Sequence, residues 1–131
     1  MRIQASAENY LETILVVMRK KGEVHSVDVA AELGFSKPSV SVAMKNLRAS
    51  GHIDMDAAGH ITLTESGRKI AETIYERHTV LAEWLALLGV GEKTALEDAC
   101  KLEHAISAES FEAVKRLAEA MRRAGGAPDA E

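Results

Sequence analysis

The hydrophobic period of this chain changes at Gly51, and that change limits the folds open to it. Up to Gly51 apolar residues recur at helical spacing. Beyond it Ile53 and Met55, then Ile61 and Leu63, alternate with polar neighbours in the two-residue period of a strand. Asp56-Ala57-Ala58-Gly59 lies between the two runs and has turn composition, so a small β-hairpin is expected there.

Three helices are expected ahead of the hairpin. Residues 6–21 place Tyr10, Leu11, Ile14, Leu15, Val17 and Met18 on one face, with Ser6 as the starting cap and Gly22 as the stop. Ser26 is expected to cap a short second helix, which carries Asp28 in its first turn and ends at Gly34. After a tight turn at Phe35, Ser36 caps a third helix with Pro38 in its first turn, where the missing N–H does no harm. Two short helices joined by a tight turn and followed by a hairpin make a winged helix-turn-helix, whose second short helix enters the major groove of DNA.

With Val40, Met44 and Leu47 turned inward, that helix presents Pro38, Ser39, Ser41, Val42, Lys45 and Asn46 outward. Ser36, Lys37 and Ser39 gather at its N-terminus, where free N–H groups attract phosphate. The candidate DNA-binding residues are therefore Ser36, Lys37, Pro38, Ser39, Ser41, Val42 and Lys45, with Arg48 and His60 as weaker candidates for backbone contacts.

The rest of the chain reads as helical. Thr64 is expected to cap a long helix over about 65–88, and Ser107 separates two more, about 92–105 and 108–124. The expected fold is mainly α: a winged helix-turn-helix over 1–70, a helical metal-binding and dimerisation domain over 71–124, and a disordered tail over 125–131. Charge divides the same way, with 9 Lys and Arg against 8 Asp and Glu in residues 1–70, and 7 against 12 in residues 71–131. A DNA-reading first half and a cation-collecting second half fit the net charge of −4.

No run of 18 apolar residues and no signal-like N-terminus is present, so a cytoplasmic protein that does not enter membranes is expected. The single cysteine, Cys100, excludes an intrachain disulfide and leaves a buried thiol, a metal ligand or a reactive group as its roles. Glu103 and His104 follow it at i+3 and i+4, which on a continuous helix puts thiolate, carboxylate and imidazole on one face. Asn9 and Glu12 share a face of the first helix, and His78 lies midway along the long one. No zinc-protease pair, phosphate-cradling glycine loop or nucleophile–base spacing occurs, and no enzyme is expected.

Four stretches resemble the diphtheria toxin repressor and manganese transport regulator family of metal-dependent repressors. They are Glu8-Asn9-Tyr10-Leu11-Glu12-Thr13-Ile14, Ser36-Lys37-Pro38-Ser39-Val40-Ser41, Leu63-Thr64-Glu65-Ser66-Gly67 and Glu97-Asp98-Ala99-Cys100-Lys101-Leu102-Glu103-His104. The resemblance covers about residues 6–120. It implies metal ligands at Asn9, Glu12, His78, Cys100, Glu103 and His104, a homodimer built on the last two helices, and a roughly palindromic double-stranded operator. It also implies the two-domain form without the SH3-like domain of the iron-type members.

Two positions depart from the manganese-type pattern: Asn9 stands where Asp is usual and Cys100 where Glu is usual. Fewer carboxylates and one thiolate move the preference from hard Mn²⁺ towards Fe²⁺, Co²⁺ or Zn²⁺. The expected activity is repression of metal-homeostasis genes in response to Fe(II) or Mn(II), with Zn(II) or Co(II) as further ions. A metal-independent winged-helix repressor and a metal-buffering protein with a vestigial helix-turn-helix are the alternatives.

Overall fold

The structure, a computed structural model, describes residues 5–125. All of the expected tail except Gly125 lies outside the described residues. The elements run α1 (Ala5–Lys21), α2 (Ser26–Leu33), α3 (Lys37–Ala49), β1 (Ile53–Met55), β2 (Ile61–Leu63), α4 (Glu65–Leu87), α5 (Glu92–Leu102) and α6 (Ala108–Arg123). The chain is mainly α with one small sheet, a winged helix-turn-helix followed by helices. It divides into two units, Met1–Ile74 and Tyr75–Glu131, with the division inside α4.

In the first unit, α1 buries Leu11, Ile14, Leu15 and Val17 against Val24, Val29, Val40, Met44, Leu47, Ile53, Ile61 and Ala71. Gly22 ends α1 at φ +85°, a conformation that costs glycine nothing, and its N–H donates to the Met18 carbonyl. Two expected caps stand elsewhere. Ser6 is the second residue of α1, already helical, and so cannot cap it. Helix α2 is capped by His25 rather than Ser26: His25 is extended at φ −121°, ψ 163°, and its N–H donates to Asp28 Oδ2 at 2.9 Å. Asp28 Oδ1 also takes Lys21 Nζ at 2.6 Å, so one carboxylate closes both the end of α1 and the start of α2.

The wing is a two-stranded antiparallel sheet with Ile53 opposite Leu63, Asp54 opposite Thr62 and Met55 opposite Ile61. Ile53 and Ile61 point into the core and the polar residues between them point out. Beyond the wing, Thr64 Oγ1 accepts the Gly67 N–H and caps α4 as expected. Gly67 itself is buried, and a Cβ there would overlap the His52 carbonyl.

The second unit packs Leu81 of α4, Ala99 of α5 and Phe111 of α6, with Val80, Trp84, Leu102, Ile106 and Val114 around them. Ser107 caps α6 by accepting the Ser110 N–H at 3.1 Å. Among the described residues no helix is long and apolar enough to cross a membrane.

Candidate metal centre and nucleic-acid interface

Helix α5 ends at Leu102, three residues earlier than its hydrophobic period suggests, so Glu103 and His104 occupy the turn after it. Glu103, the C-cap, still has helical dihedrals (φ −59°, ψ −29°) and donates its N–H to the Ala99 carbonyl, so it continues the face of Cys100. Arg77 of α4 bonds this turn: its Nη1 donates to the Glu103 carbonyl at 3.2 Å and to the Ile106 carbonyl at 2.9 Å. Carbonyls left open at the end of a helix are thus satisfied from a neighbouring helix. The guanidinium also lies over the Phe111 ring, 5.7 Å from its centroid. The sequence gives no sign of this clamp, because nothing in the spacing links Arg77 to the α5–α6 turn.

The turn delivers Glu103 into the interior at 1% exposure. One of its oxygens meets His78 Nδ1 at 2.9 Å and the other meets His104 Nε2 at 3.2 Å. Cys100 Sγ approaches the same His78 Nδ1 at 3.7 Å, although the cysteine is exposed overall. One ligand atom each from His78, Cys100 and Glu103 falls within 4.8 Å of the others. A carboxylate taken out of water needs cationic or N–H partners. Here it has two imidazoles, and a thiol stands beside one of them. This donor set of oxygen, nitrogen and sulfur suits a divalent transition metal.

Of the six expected ligands, the second unit thus brings His78, Cys100, Glu103 and His104 together. Asn9 and Glu12 lie in the first unit on α1, Asn9 partly buried and Glu12 buried.

Helix α3 carries the other candidate surface. Ser36 Oγ accepts the Ser39 N–H at 3.3 Å, which fixes the helix start. Val40, Met44 and Leu47 are buried, whereas Ser36, Lys37, Pro38, Ser39, Ser41, Val42, Lys45 and Asn46 are all exposed. The helix sequence KPSVSVAMKNLRA has three basic residues and no acidic one, in a chain whose net charge is −4. Val42, 59% exposed, is the apolar exception on this polar face. His60, a weaker candidate for DNA contact, faces carboxylates instead: Nδ1 lies 3.1 Å from Asp56 Oδ2, and Nε2 lies 3.3 Å from Glu23 Oε1.

A winged helix-turn-helix followed by a helical unit that gathers imidazole, thiol and buried carboxylate defines a class of DNA-binding regulator equipped for a metal ion. The N-terminal DNA-binding domain of the iron-dependent repressors matches residues 2–61, and their metal-binding and dimerisation domain matches residues 64–125. The chain belongs to the iron-dependent repressor family, a family of DNA-binding transcriptional regulators.

It is 37% identical over 108 residues to the transcriptional regulator MntR of Escherichia coli O6:H1, covering 82% of this chain and 70% of that one. It is 36% identical over 112 residues to an uncharacterized HTH-type transcriptional regulator of Methanocaldococcus jannaschii, covering 84% and 90%. Among solved structures, a manganese-dependent transcriptional repressor in complex with manganese superposes with a TM-score of 0.78 at 28% identity, over 86% of this chain and 52% of that chain. ScaR with bound Zn²⁺ gives 0.71 at 26% identity, over 86% and 53%. The chain thus spans about half the length of these two solved proteins.

Proposed function

We propose that this protein is a metal-activated transcriptional repressor of metal-homeostasis genes, which binds a roughly palindromic double-stranded operator as a homodimer. The observation that carries the reading is the buried Glu103 carboxylate, held between His78 and His104 beside Cys100, in a chain whose α3 presents an exposed basic face. His78, Cys100, Glu103 and His104 would hold the ion, and the parts that the resemblance implies for Asn9 and Glu12 are open to the same tests. A bound divalent cation supplies positive charge to a site that is otherwise acidic, and stabilises whichever conformation binds it best. Residues 1–70 serve as the DNA-binding domain and 71–124 as the metal-binding and dimerisation domain.

On DNA, Ser36, Lys37 and Ser39 at the start of α3 engage phosphate, while Pro38, Ser41, Val42 and Lys45 face the base edges. Val42 is suited to a thymine methyl group. The solved repressor named above as manganese-dependent favours Mn(II). The sulfur of Cys100 moves the preference away from Mn(II) towards the softer Fe(II), Co(II) or Zn(II), and of these Fe(II) is taken as the effector alongside Mn(II). The protein works in the cytoplasm, where its DNA is.

The test is an anaerobic selection of binding sites from random duplex DNA, with metal-stripped protein and again with Fe²⁺, Mn²⁺ or Zn²⁺. Enrichment of a palindrome only with metal is expected, and the most effective ion is then the leading candidate for the effector. Equal enrichment without metal would overturn the reading in favour of a metal-independent repressor. Tight metal binding with no enrichment at all would point to a metal-buffering protein.

A further inference from the structure

Apart from the His78 cluster, the described residues contain another close grouping of metal-ligating side chains: Glu23, His25 and His60, all in the first unit. Glu23 and His25 flank Val24 in the connection between α1 and α2, and His60 is the residue just before β2. The backbone explains why they meet. The Ile61 N–H donates to the Val24 carbonyl at 2.8 Å, so the wing runs alongside that connection and the neighbours of the bonded pair are brought face to face.

The two imidazole rings lie with centroids 4.5 Å apart at an interplanar angle of 50°, and His60 Nε2 is 3.3 Å from Glu23 Oε1. One ligand atom from each of the three residues lies within 4.8 Å of the other two.

The surroundings orient these groups. Asp56 Oδ1 accepts the N–H groups of Ala58 and His60, which fixes the tip of the wing, and its Oδ2 sits 3.1 Å from His60 Nδ1. When Nδ1–H donates to that carboxylate, the lone pair of His60 is on Nε2, the nitrogen that faces Glu23. A carboxylate bonded to the far nitrogen of a ligating histidine is the usual outer support of a metal site. Asp28 Oδ2 lies 3.7 Å from His25 Nδ1, beyond hydrogen-bond distance, and so supports the His25 ring only as a nearby negative charge.

We propose that Glu23, His25 and His60 form a second divalent metal site, separate from the His78 cluster and free of sulfur. Two imidazoles and one carboxylate suit Zn²⁺ or an ion of similar borderline character, with water in the remaining positions because all three side chains reach solvent. Occupation would tie the wing to the connection that leads into α2, so the ion fixes the hairpin relative to the helix-turn-helix. The inference does not depend on the role proposed for Cys100.

The test follows the His25 and His60 ring nitrogens by long-range ¹H–¹⁵N NMR while Zn²⁺ is added to the metal-stripped full chain. Both rings are expected to shift and saturate. By calorimetry the chain should take up one more equivalent of Zn²⁺ than His25→Ala or His60→Ala, and Cys100→Ser should keep that equivalent. Asp56→Asn should weaken it at least about tenfold. In Co²⁺-loaded Cys100→Ser, visible d–d bands without thiolate charge transfer are expected to persist. Unmoved His25 and His60 resonances at saturating Zn²⁺ would overturn the proposal, whatever the variants do.

Discussion

At Glu103 the chain places a carboxylate almost out of reach of solvent, at the C-terminal end of α5 where the helix dipole disfavours negative charge. His78 and His104 offset that cost in the absence of metal, and a bound cation would offset it further. Glu103→Ala and His104→Ala are expected to keep the far-UV circular dichroism of the parent while losing metal-stimulated DNA binding. Unchanged stimulation in both would remove these residues from the site. Asp28 is the other decisive carboxylate. The Lys21 ammonium beside it, and then the His25 N–H, hold its carboxyl below the ordinary carboxylate range. A depressed folded-state value means that its stabilisation is complete above the unfolded value, near pH 4, and is lost as pH falls through the folded value. The stability difference between parent and Asp28→Ala, read from urea unfolding, should be about 1 kcal/mol at neutral pH and shrink below about pH 4.

Among the elements, α3 and the wing have opposite requirements. Helix α3 is held by a cap and three buried apolar residues, which leaves its polar face free to be read as a DNA surface. Replacing Lys37 with Ala should weaken operator binding evenly across sequences and lower the salt dependence by about one counterion, in titrations over a range of KCl, whereas Lys45→Ala should relax the preference at one base position. The reverse pattern would exchange the roles of the two lysines. The residue that leads into β1, His52, lies against the first turn of α4, where a Cβ at Gly67 would overlap its backbone carbonyl. Gly67→Ala is expected to cost about 1–3 kcal/mol through the clash with the His52 backbone, seen as a lower midpoint in thermal unfolding. Arg77 does comparable work in the second unit, since its Nη1 bonds two backbone carbonyls of the α5–α6 turn from α4, next to the His78 contact with the Glu103 side chain.

For the whole molecule, charge is divided by task. The first unit, residues 1–74, has 9 basic and 9 acidic residues, and the second, residues 75–131, has 7 and 11. A net −4 on the second unit makes it the natural collector of cations, while α3 keeps a local excess of three positive charges in the neutral first unit. Metal binding to the folded state raises stability by mass action, so Fe²⁺ or Mn²⁺ at 100 times its dissociation constant should add about 2.7 kcal/mol. Calorimetric melting under anaerobic conditions is the measurement, and Glu103→Gln should abolish the increment.

The helices, the wing and the outward face of α3 were legible in the sequence because each is set by local pattern: apolar spacing, caps at Ser36, Thr64 and Ser107, and glycines at helix ends. Cys100, Glu103 and His104 were legible as a group because they are near neighbours in the chain. Their partners on α4 were not, since nothing in the spacing relates His78 or Arg77 to the α5–α6 turn that they bond. His25 and His60 lie 35 residues apart and meet because one backbone hydrogen bond, from Ile61 to Val24, lays the wing against the α1–α2 connection. Sequence alone therefore determined what each segment becomes and which chemical groups it carries. The tertiary structure decided which groups share a site, because long-range contacts place side chains that no local pattern relates.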